Sequence, residues 1–239
     1  MVNQLLFGET FEILDSLNPW MLIRGTQDKY EGFIEEKQFL PIDNEEWNKL
    51  SGEIVYHPAE IVDFLTDVEN QQQLLIVLGS NLPGLINGGF SVADRKYLFQ
   101  GNIYITTKRS LRYQVLETAK KYLGAPYLWG GRSPFGIDSS GLVQVVFKIH
   151  AINLPRDAAY QAQVGETIHL IDEALPGDLA FFDDSEGKIV HVGILMENSR
   201  IIHASGEVRI DKMDHHGIFN TRLGKYTHQL RLIKRILTD

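Results

Sequence analysis

The hydrophobic pattern changes period along the chain. Up to about residue 105 the apolar runs are short and separated by turn residues. Glu12-Ile13-Leu14 and Trp20-Met21-Leu22-Ile23 read as brief strands, and Asp28–Ile34 reads as a hairpin followed by an exposed Glu35-Glu36. Short strands at this spacing predict a small barrel. Further on, Glu60–Val68 suggests a short helix and Gln73–Leu78 a strand. Residues 79–84 carry turn chemistry, and Ile103-Tyr104-Ile105 reads as a last strand. After Thr107 the period becomes helical, with Leu111, Val115, Leu116, Ala119 and Leu123 on one face and Gly124 as the stop. A Gly- and aromatic-rich loop follows. A second helix is predicted from Ser139-Ser140 to about Ile149, with Asp138 or Ser139 as its N-cap, and a third, short one from Asp157. Strands then dominate: Asp178–Phe182, Ile189–Met196, Arg200–Ala204 and Leu230–Ile236. Helices followed by a mostly antiparallel sheet make an α+β arrangement.

Charge sharpens the division. Residues 1–105 hold 6 basic and 16 acidic residues, whereas residues 106–239 hold 17 and 15. A shift of this size places a boundary near residue 105. The overall net charge of -8 makes nucleic acid or an anionic membrane a poor partner. The longest apolar runs fall far short of the ~18–20 residues that span a bilayer. The N-terminal residues have no basic stretch before an apolar core, so the chain as written reads as cytoplasmic; an exported parent with its leader removed would look the same. The absence of cysteine excludes disulfides, zinc–thiolate sites, iron–sulfur clusters and a thiol nucleophile.

The densest candidate chemistry is Gly136-Ile-Asp-Ser-Ser-Gly-Leu142. A side chain in the first turn of a helix feels the positive end of the macrodipole, and backbone N–H groups there stabilise an anion. That suits a nucleophile, and the position holds Ser139; helix capping is the simpler local explanation. His191 and His203 lie on a predicted hairpin. If the register puts them on one face they form a base with its orienting partner; each alone reads as a core histidine. His57, His150, His169 and His228 read as isolated, and His215-His216 as part of a solvated loop without metal-site spacing. No P-loop or GxGxxG motif occurs, so neither a nucleotide, a metal nor another cofactor is implied.

Taken together, the motifs resemble the NlpC family of papain-like cell-wall peptidases. The matching stretches are Tyr122-Leu-Gly-Ala-Pro-Tyr-Leu-Trp-Gly-Gly131, Gly136–Leu142, Leu154-Pro-Arg-Asp-Ala158 with Gln161, Gly177-Asp178-Leu179 with Phe181-Phe182, His191-Val-Gly-Ile194 and Ile202-His203-Ala204. They occur in the family's order over about residues 108–237. Tyr30-Glu-Gly-Phe-Ile34 resembles a bacterial SH3-like domain. The resemblance implies three segments: residues 1–42 as an SH3-like domain lacking its first strand, 43–106 as a second SH3-like or linking β domain, and 107–239 as the papain-like catalytic domain.

The resemblance also implies a Cys–His–His hydrolase. It would cut the γ-D-glutamyl–diamino acid bond of peptidoglycan stem peptides with a free N-terminal L-Ala. His191 matches the general base, His203 its orienting partner, and Tyr127 a tyrosine near the oxyanion. Asp138 and Ser140 match substrate contacts, with Asp138 facing the free amine. Trp129, Arg156 and Asp157 match pocket positions, and Tyr30 would reach in from the SH3-like domain. The departure is Ser139, where the family has cysteine. A serine hydroxyl cannot form the thiolate–imidazolium pair, and losing a nucleophile costs up to ~10⁶ in rate. Little or no hydrolysis is therefore expected. The retained histidines, Tyr127, Asp138 and the Arg156-Asp157 pair favour an engineered, near-isosteric Cys-to-Ser change in an otherwise intact site. A natural pseudoenzyme that binds muropeptides or a partner is the alternative, and direct serine catalysis, without a G-x-S-x-G elbow, ranks last.

Overall fold

The computed structural model describes residues 1–238. The chain divides into two compact units, Leu5–Ile105 and a second formed by Met1–Gln4 with the chain from Thr106 onward.

In the Leu5–Ile105 unit, β1 (Phe11–Leu17), β2 (Trp20–Gly25) and β3 (Glu31–Glu35) form an antiparallel three-stranded sheet. Helix α1 (Asn44–Gly52) follows, and the Asp43 carboxylate caps it by accepting from Glu46 N–H. Strand β4 (Val55–Tyr56) pairs with β7 (Leu82–Pro83). Strands β5 (Val62–Asp67), β6 (Gln72–Val77), β8 (Gly89–Val92) and β9 (Arg95–Phe99) form a sheet in the order β6-β5-β9-β8. Leu65, Ile76, Leu82, Phe90, Tyr97 and Phe99 make its core.

Two expectations fail here, and one helix is unforeseen. Glu60–Val68 is not a helix: Leu65 is buried while Phe64 is exposed, which is the period of a strand. The helix over Asn44–Gly52 escaped because it buries only Leu50, too little for an apolar stripe. Ile103–Ile105 forms no strand, only a single bridge from Ile103 to Pro58.

The other unit begins with α2 (Leu111–Lys120). A two-stranded ribbon, β10 (Arg132–Ser133) and β11 (Gly136–Ile137), leads into α3 (Ser139–Ile149), and α4 (Ala158–Gln161) follows. The sheet comprises β12 (Glu166–Ile168), β13 (Leu179–Asp183), β14 (Ile189–Met196), β15 (Arg200–Ser205), β16 (Glu207–Asp214), β17 (Gly217–Asn220) and β18 (Lys225–Arg235), in the order β12-β18-β13-β14-β15-β16-β17. Every pairing is antiparallel, and β17 also pairs with β18, so β13 to β18 close into a six-stranded barrel. Each of the six strands contributes to one buried cluster: Phe182, Leu195, Ile201, Met213, Ile218 and Ile233.

Helix α3 is buried along its whole length and packs against β14, β15 and α2. Asp178, fully buried, accepts from Arg112 Nη1 at 2.9 Å and Arg235 Nη2 at 2.8 Å, which ties α2 to β13 and β18. No helix of the described residues is long and apolar enough to cross a membrane.

Candidate active site

The histidine pair owes its meeting to strand register. Gly193 lies opposite His203 across β14 and β15, so His191, two residues before Gly193, shares the face of His203. A Cβ at Gly193 would lie 2.7 Å from Ile201 Cδ1 and 3.0 Å from His203 Cβ. Glycine is what lets the His203 ring lean across. His191 Nε2 and His203 Nδ1 are then 2.9 Å apart, with the rings at 89° to each other.

The network continues past the pair. His203 Nε2 lies 3.1 Å from Asp211 Oδ2, and Arg209 Nη2 donates to Asp211 Oδ1 at 3.0 Å. Burial works to raise the Asp211 pKa, but the hydrogen bonds and charges of His203 and Arg209 prevail and hold it below its ordinary value. Asp211 is therefore an ionised acceptor at neutral pH, and His203 donates to it from Nε2. In the form of His203 with a single ring proton, Nδ1 then carries the lone pair. His191 then donates from Nε2, and its own Nδ1 is left as the basic atom. His191 is itself held well below the usual histidine value, first by burial and then by His228 and His203, so it is neutral at pH 7.

His228, which reads as isolated in the sequence, belongs to this cluster. Its ring stacks on His191 at 4.2 Å between centroids, and Thr227 Oγ1 lies 2.9 Å from its Nδ1. Burial, then His203, pushes its pKa down to about 4. Ligand nitrogens of His191, His203 and His228 all lie within 4.8 Å of one another, so the three could hold a metal ion. Asp211, Arg209 and His228 were not found from the sequence. Arg209 and Asp211 alternate with Val208 and Ile210, a strand pattern that was available but unassigned. His228 lies two residues before the start read for the last strand.

The helix bearing position 139 is tied to the same end of the sheet. Tyr127 N–H donates to Gly206 O in the β15–β16 turn, and Tyr127 bridges to Ile137, two residues before Ser139. Asp138 is the N-cap of α3, accepting from Gly141 N–H at 2.7 Å. Leu142 N–H bonds to Asp138 O, which leaves the Ser139 and Ser140 amides as first-turn donors outside the helical ladder. Ser139 and Ser140 are both buried.

Around this helix start lies a second polar network. Arg156 reaches Asp138 with both terminal nitrogens, Nη2 to Oδ2 at 2.6 Å and Nη1 to Oδ1 at 3.0 Å, and Nη1 also donates to Ser140 Oγ at 2.8 Å. Gly130 N–H adds a bond to Asp138 Oδ2 at 2.7 Å, and Arg156 Nε donates to Asn3 Oδ1 at 2.9 Å. The Asp138 carboxylate thus takes backbone donors and a bidentate guanidinium, with little capacity to spare for an amine. The Tyr127 phenol is raised by burial and by Asp138, against the pull of Arg156, so it stays a neutral donor.

Trp129 is exposed on the loop before β10, and Asp157 is the N-cap residue of α4. Tyr30 lies in the other unit, in the turn before β3, where its N–H bonds Asp28 Oδ1. His215 and His216 are exposed between β16 and β17, as expected for a loop.

A side chain at a helix N-terminus, a buried histidine pair and a buried carboxylate behind it are the parts from which a nucleophile-and-base hydrolytic site is built. Residues 124–226 match the model of the NlpC/P60 family. Among similar proteins is a gamma-D-glutamyl-L-lysine dipeptidyl-peptidase of Bacillus subtilis (strain 168), 28% identical over 218 residues, covering 84% of this chain and 71% of that protein. Dipeptidyl-peptidase 6 of Lysinibacillus sphaericus is 26% identical over 238 residues, covering 90% of this chain and 84% of the relative. A solved structure of an NlpC/P60 family protein from Bacillus cereus ATCC 10987 superimposes with a TM-score of 0.82 at 24% identity, covering 99% of this chain and 82% of that one. At that identity the likeness establishes the fold.

Proposed function

We propose that this site is built to hydrolyse the γ-D-glutamyl–diamino acid bond of peptidoglycan stem peptides with a free N-terminal L-Ala, and that it needs a cysteine at position 139 to do so. The observation that carries the reading is the His191–His203–Asp211 relay, whose histidines lie on the strands against which α3, with Ser139 in its first turn, packs. The names of the relatives support the substrate class. NlpC/P60 peptidases are a cysteine peptidase class, and this chain holds no cysteine.

In the cysteine form, His191 Nδ1 takes the thiol proton and later returns it to the leaving amine. His203 accepts from His191 Nε2 throughout, and Asp211 stabilises the imidazolium through it. The thiolate attacks the γ-carbonyl carbon, the Ser139-position and Ser140 amides with the neutral Tyr127 phenol serve the oxyanion, and water releases the acyl group. With Ser139 the chain binds stem peptide and turns it over little or not at all. A second reading, a protein that binds muropeptides without cutting them, is favoured by Ser139 itself. Under either reading the domain preceding the catalytic one is SH3-like in character.

The experiment is turnover of L-Ala-γ-D-Glu-meso-diaminopimelate and its L-Lys counterpart by the Ser139→Cys protein, with the unaltered chain alongside, read by mass spectrometry. Release of L-Ala-D-Glu by the cysteine form alone supports the peptidase. Binding of the tripeptide without release by either form supports the binding protein.

A further inference from the structure

We infer that His191, His203 and His228 form a binding site for a single divalent transition-metal ion of the zinc, nickel or copper class. The site stands on side-chain geometry and does not depend on the peptidase reading.

Three observations carry it. The first is spacing. Two imidazole nitrogens bound at about 2.0–2.1 Å are about 2.9 Å apart at a right angle, as on tetragonal copper or nickel, and about 3.3–3.4 Å apart on tetrahedral zinc. His191 Nε2 and His203 Nδ1 are 2.9 Å apart. A third nitrogen from His228 lies within 4.8 Å of both. Neighbouring ligands on one ion are about 2.9–3.4 Å apart, so closure brings the His228 nitrogen inward by up to about 1.9 Å. The His228 ring, stacked on His191 at 24°, has to tilt for its in-plane lone pair to converge on the same ion.

The second is the outer shell. A metal-bound histidine characteristically gives its other ring nitrogen to a carboxylate or another oxygen. His203 Nε2 is on Asp211, which Arg209 holds in turn, and His228 Nδ1 is on Thr227 Oγ1. Both rings therefore keep the inner nitrogen for the cluster. The third is access. His228 is half-buried and lines an open groove of about 540 Å³ with Thr227, Tyr226, His215 and His216. The groove reaches His228, the least buried of the three histidines.

Occupation has a defined consequence for the base. An ion on His191 Nε2 displaces the proton there, and the neutral ring takes a proton from water at Nδ1, with no net change in proton count. The atom that accepts the nucleophile's proton is then an N–H, so an occupied site is a switched-off base.

The test uses the full chain with Ser139 in place and the metal ion alone, first Zn²⁺. Calorimetric titration at neutral pH should show one equivalent bound. His228→Gln should weaken binding by at least 100-fold, and Asp211→Asn by about 10–100-fold. The double variant His215→Ala/His216→Ala should bind as the unaltered chain does. Ring ¹⁵N shifts of the unaltered chain provide a readout that no variant's folding can spoil: zinc should move the His191 proton from Nε2 to Nδ1. No saturable binding, binding indifferent to His228→Gln, loss on removing His215 and His216, or an unchanged His191 tautomer would each overturn the inference. None of these readings involves peptide turnover, so failure of the proposed peptidase leaves the inference standing, and the reverse.

Discussion

Replacing Asp211 by asparagine removes one charge and leaves nearly the same volume, and either way the amide faces, its NH₂ meets one nitrogen of Arg209. Arg209 Nη2 donates to one carboxylate oxygen at 3.0 Å, and its Nε lies 2.8 Å from the other, which also takes His203 Nε2–H. An amide has one acceptor to meet both demands. If its oxygen stays with His203 it also faces Arg209 Nε, and its NH₂ faces Arg209 Nη2. If the oxygen turns to Arg209 Nη2, the NH₂ donates to His203 Nε2 and faces Arg209 Nε. His203 then carries its proton on Nδ1 and donates to His191 Nε2, and the His191 proton moves to Nδ1. The second arrangement disables the base.

Even without the flip, exchanging a charged hydrogen bond (about 1.5–3 kcal/mol) for a neutral one (about 0.5–1.5) loses about 1–2 kcal/mol, roughly 5–30-fold in rate. With the flip the loss is larger. A Ser139→Cys/Asp211→Asn protein should lose about 10²-fold in kcat with little change in KM. Adding Arg209→Met frees the amide to offer its oxygen to His203 and should recover part of that loss. Ring ¹⁵N shifts report the same tautomer change in the chain as it stands. An Asp211→Asn protein within twofold of its parent, or no recovery with Arg209→Met, would sink the relay argument.

Other outcomes follow from single contacts. Arg156→Ala leaves the Asp138 carboxylate buried without its bidentate partner, so stability should fall by about 3–5 kcal/mol; urea unfolding within about 1 kcal/mol of the parent would show that water takes over the pairing. Gly193→Ala puts a Cβ 2.7 Å from Ile201 Cδ1 and should cost about 1–3 kcal/mol while parting the histidine pair, visible as a changed His203 ring signal. His150 is pushed down to about 4 by burial and bonds Thr118 Oγ1. Between pH 4 and 6.5 the unfolded chain binds a proton there that the folded chain does not, so the stabilising effect is full above 6.5 and is lost as the pH falls to 4. Melting temperatures of the parent should therefore drop more steeply over that window than those of His150→Gln; parallel curves would contradict the assignment.

Much of the C-terminal unit was legible because its signals are local. The Gly136–Leu142 stretch gave the start of α3, since an acidic cap before small residues and an apolar run has few other meanings. The His191/His203 hairpin was legible because Glu197–Ser199 is plain turn chemistry between two apolar runs. What escaped depends on distant pairing. The barrel closes through β17 and β18, and neither the short β17 nor the first half of β18 has the apolar density of a core strand. With those strands unassigned, nothing could bring His228 beside His191, although 37 residues of chain separate them. Asp211 escaped for the same reason: a carboxylate on an unassigned strand looks like solvated surface until β16 pairs with β15.

The same placement explains why a hydroxyl at position 139 is so poor a substitute on the reading proposed here. Nucleophilic attack needs the proton of residue 139 to pass to His191 Nδ1. Burial and the neighbouring rings hold His191 well below the ordinary histidine range, so it is a weak base before the reaction begins. A thiol, with an ordinary pKa near 8.5 that a helix N-terminus lowers further, still gives up its proton to such a base, and Asp211 then supports the charge through His203. A serine hydroxyl starts far less acidic, and the depressed histidine moves the mismatch the wrong way again. The relay that suits a cysteine therefore leaves Ser139 protonated. On that reading the substrate contacts lie around Tyr127 and Trp129, and the buried Asp138–Arg156–Ser140 network only holds the helix start; none of these requires that proton to move. Retained binding with lost turnover is what the proposed peptidase predicts for the chain as it stands.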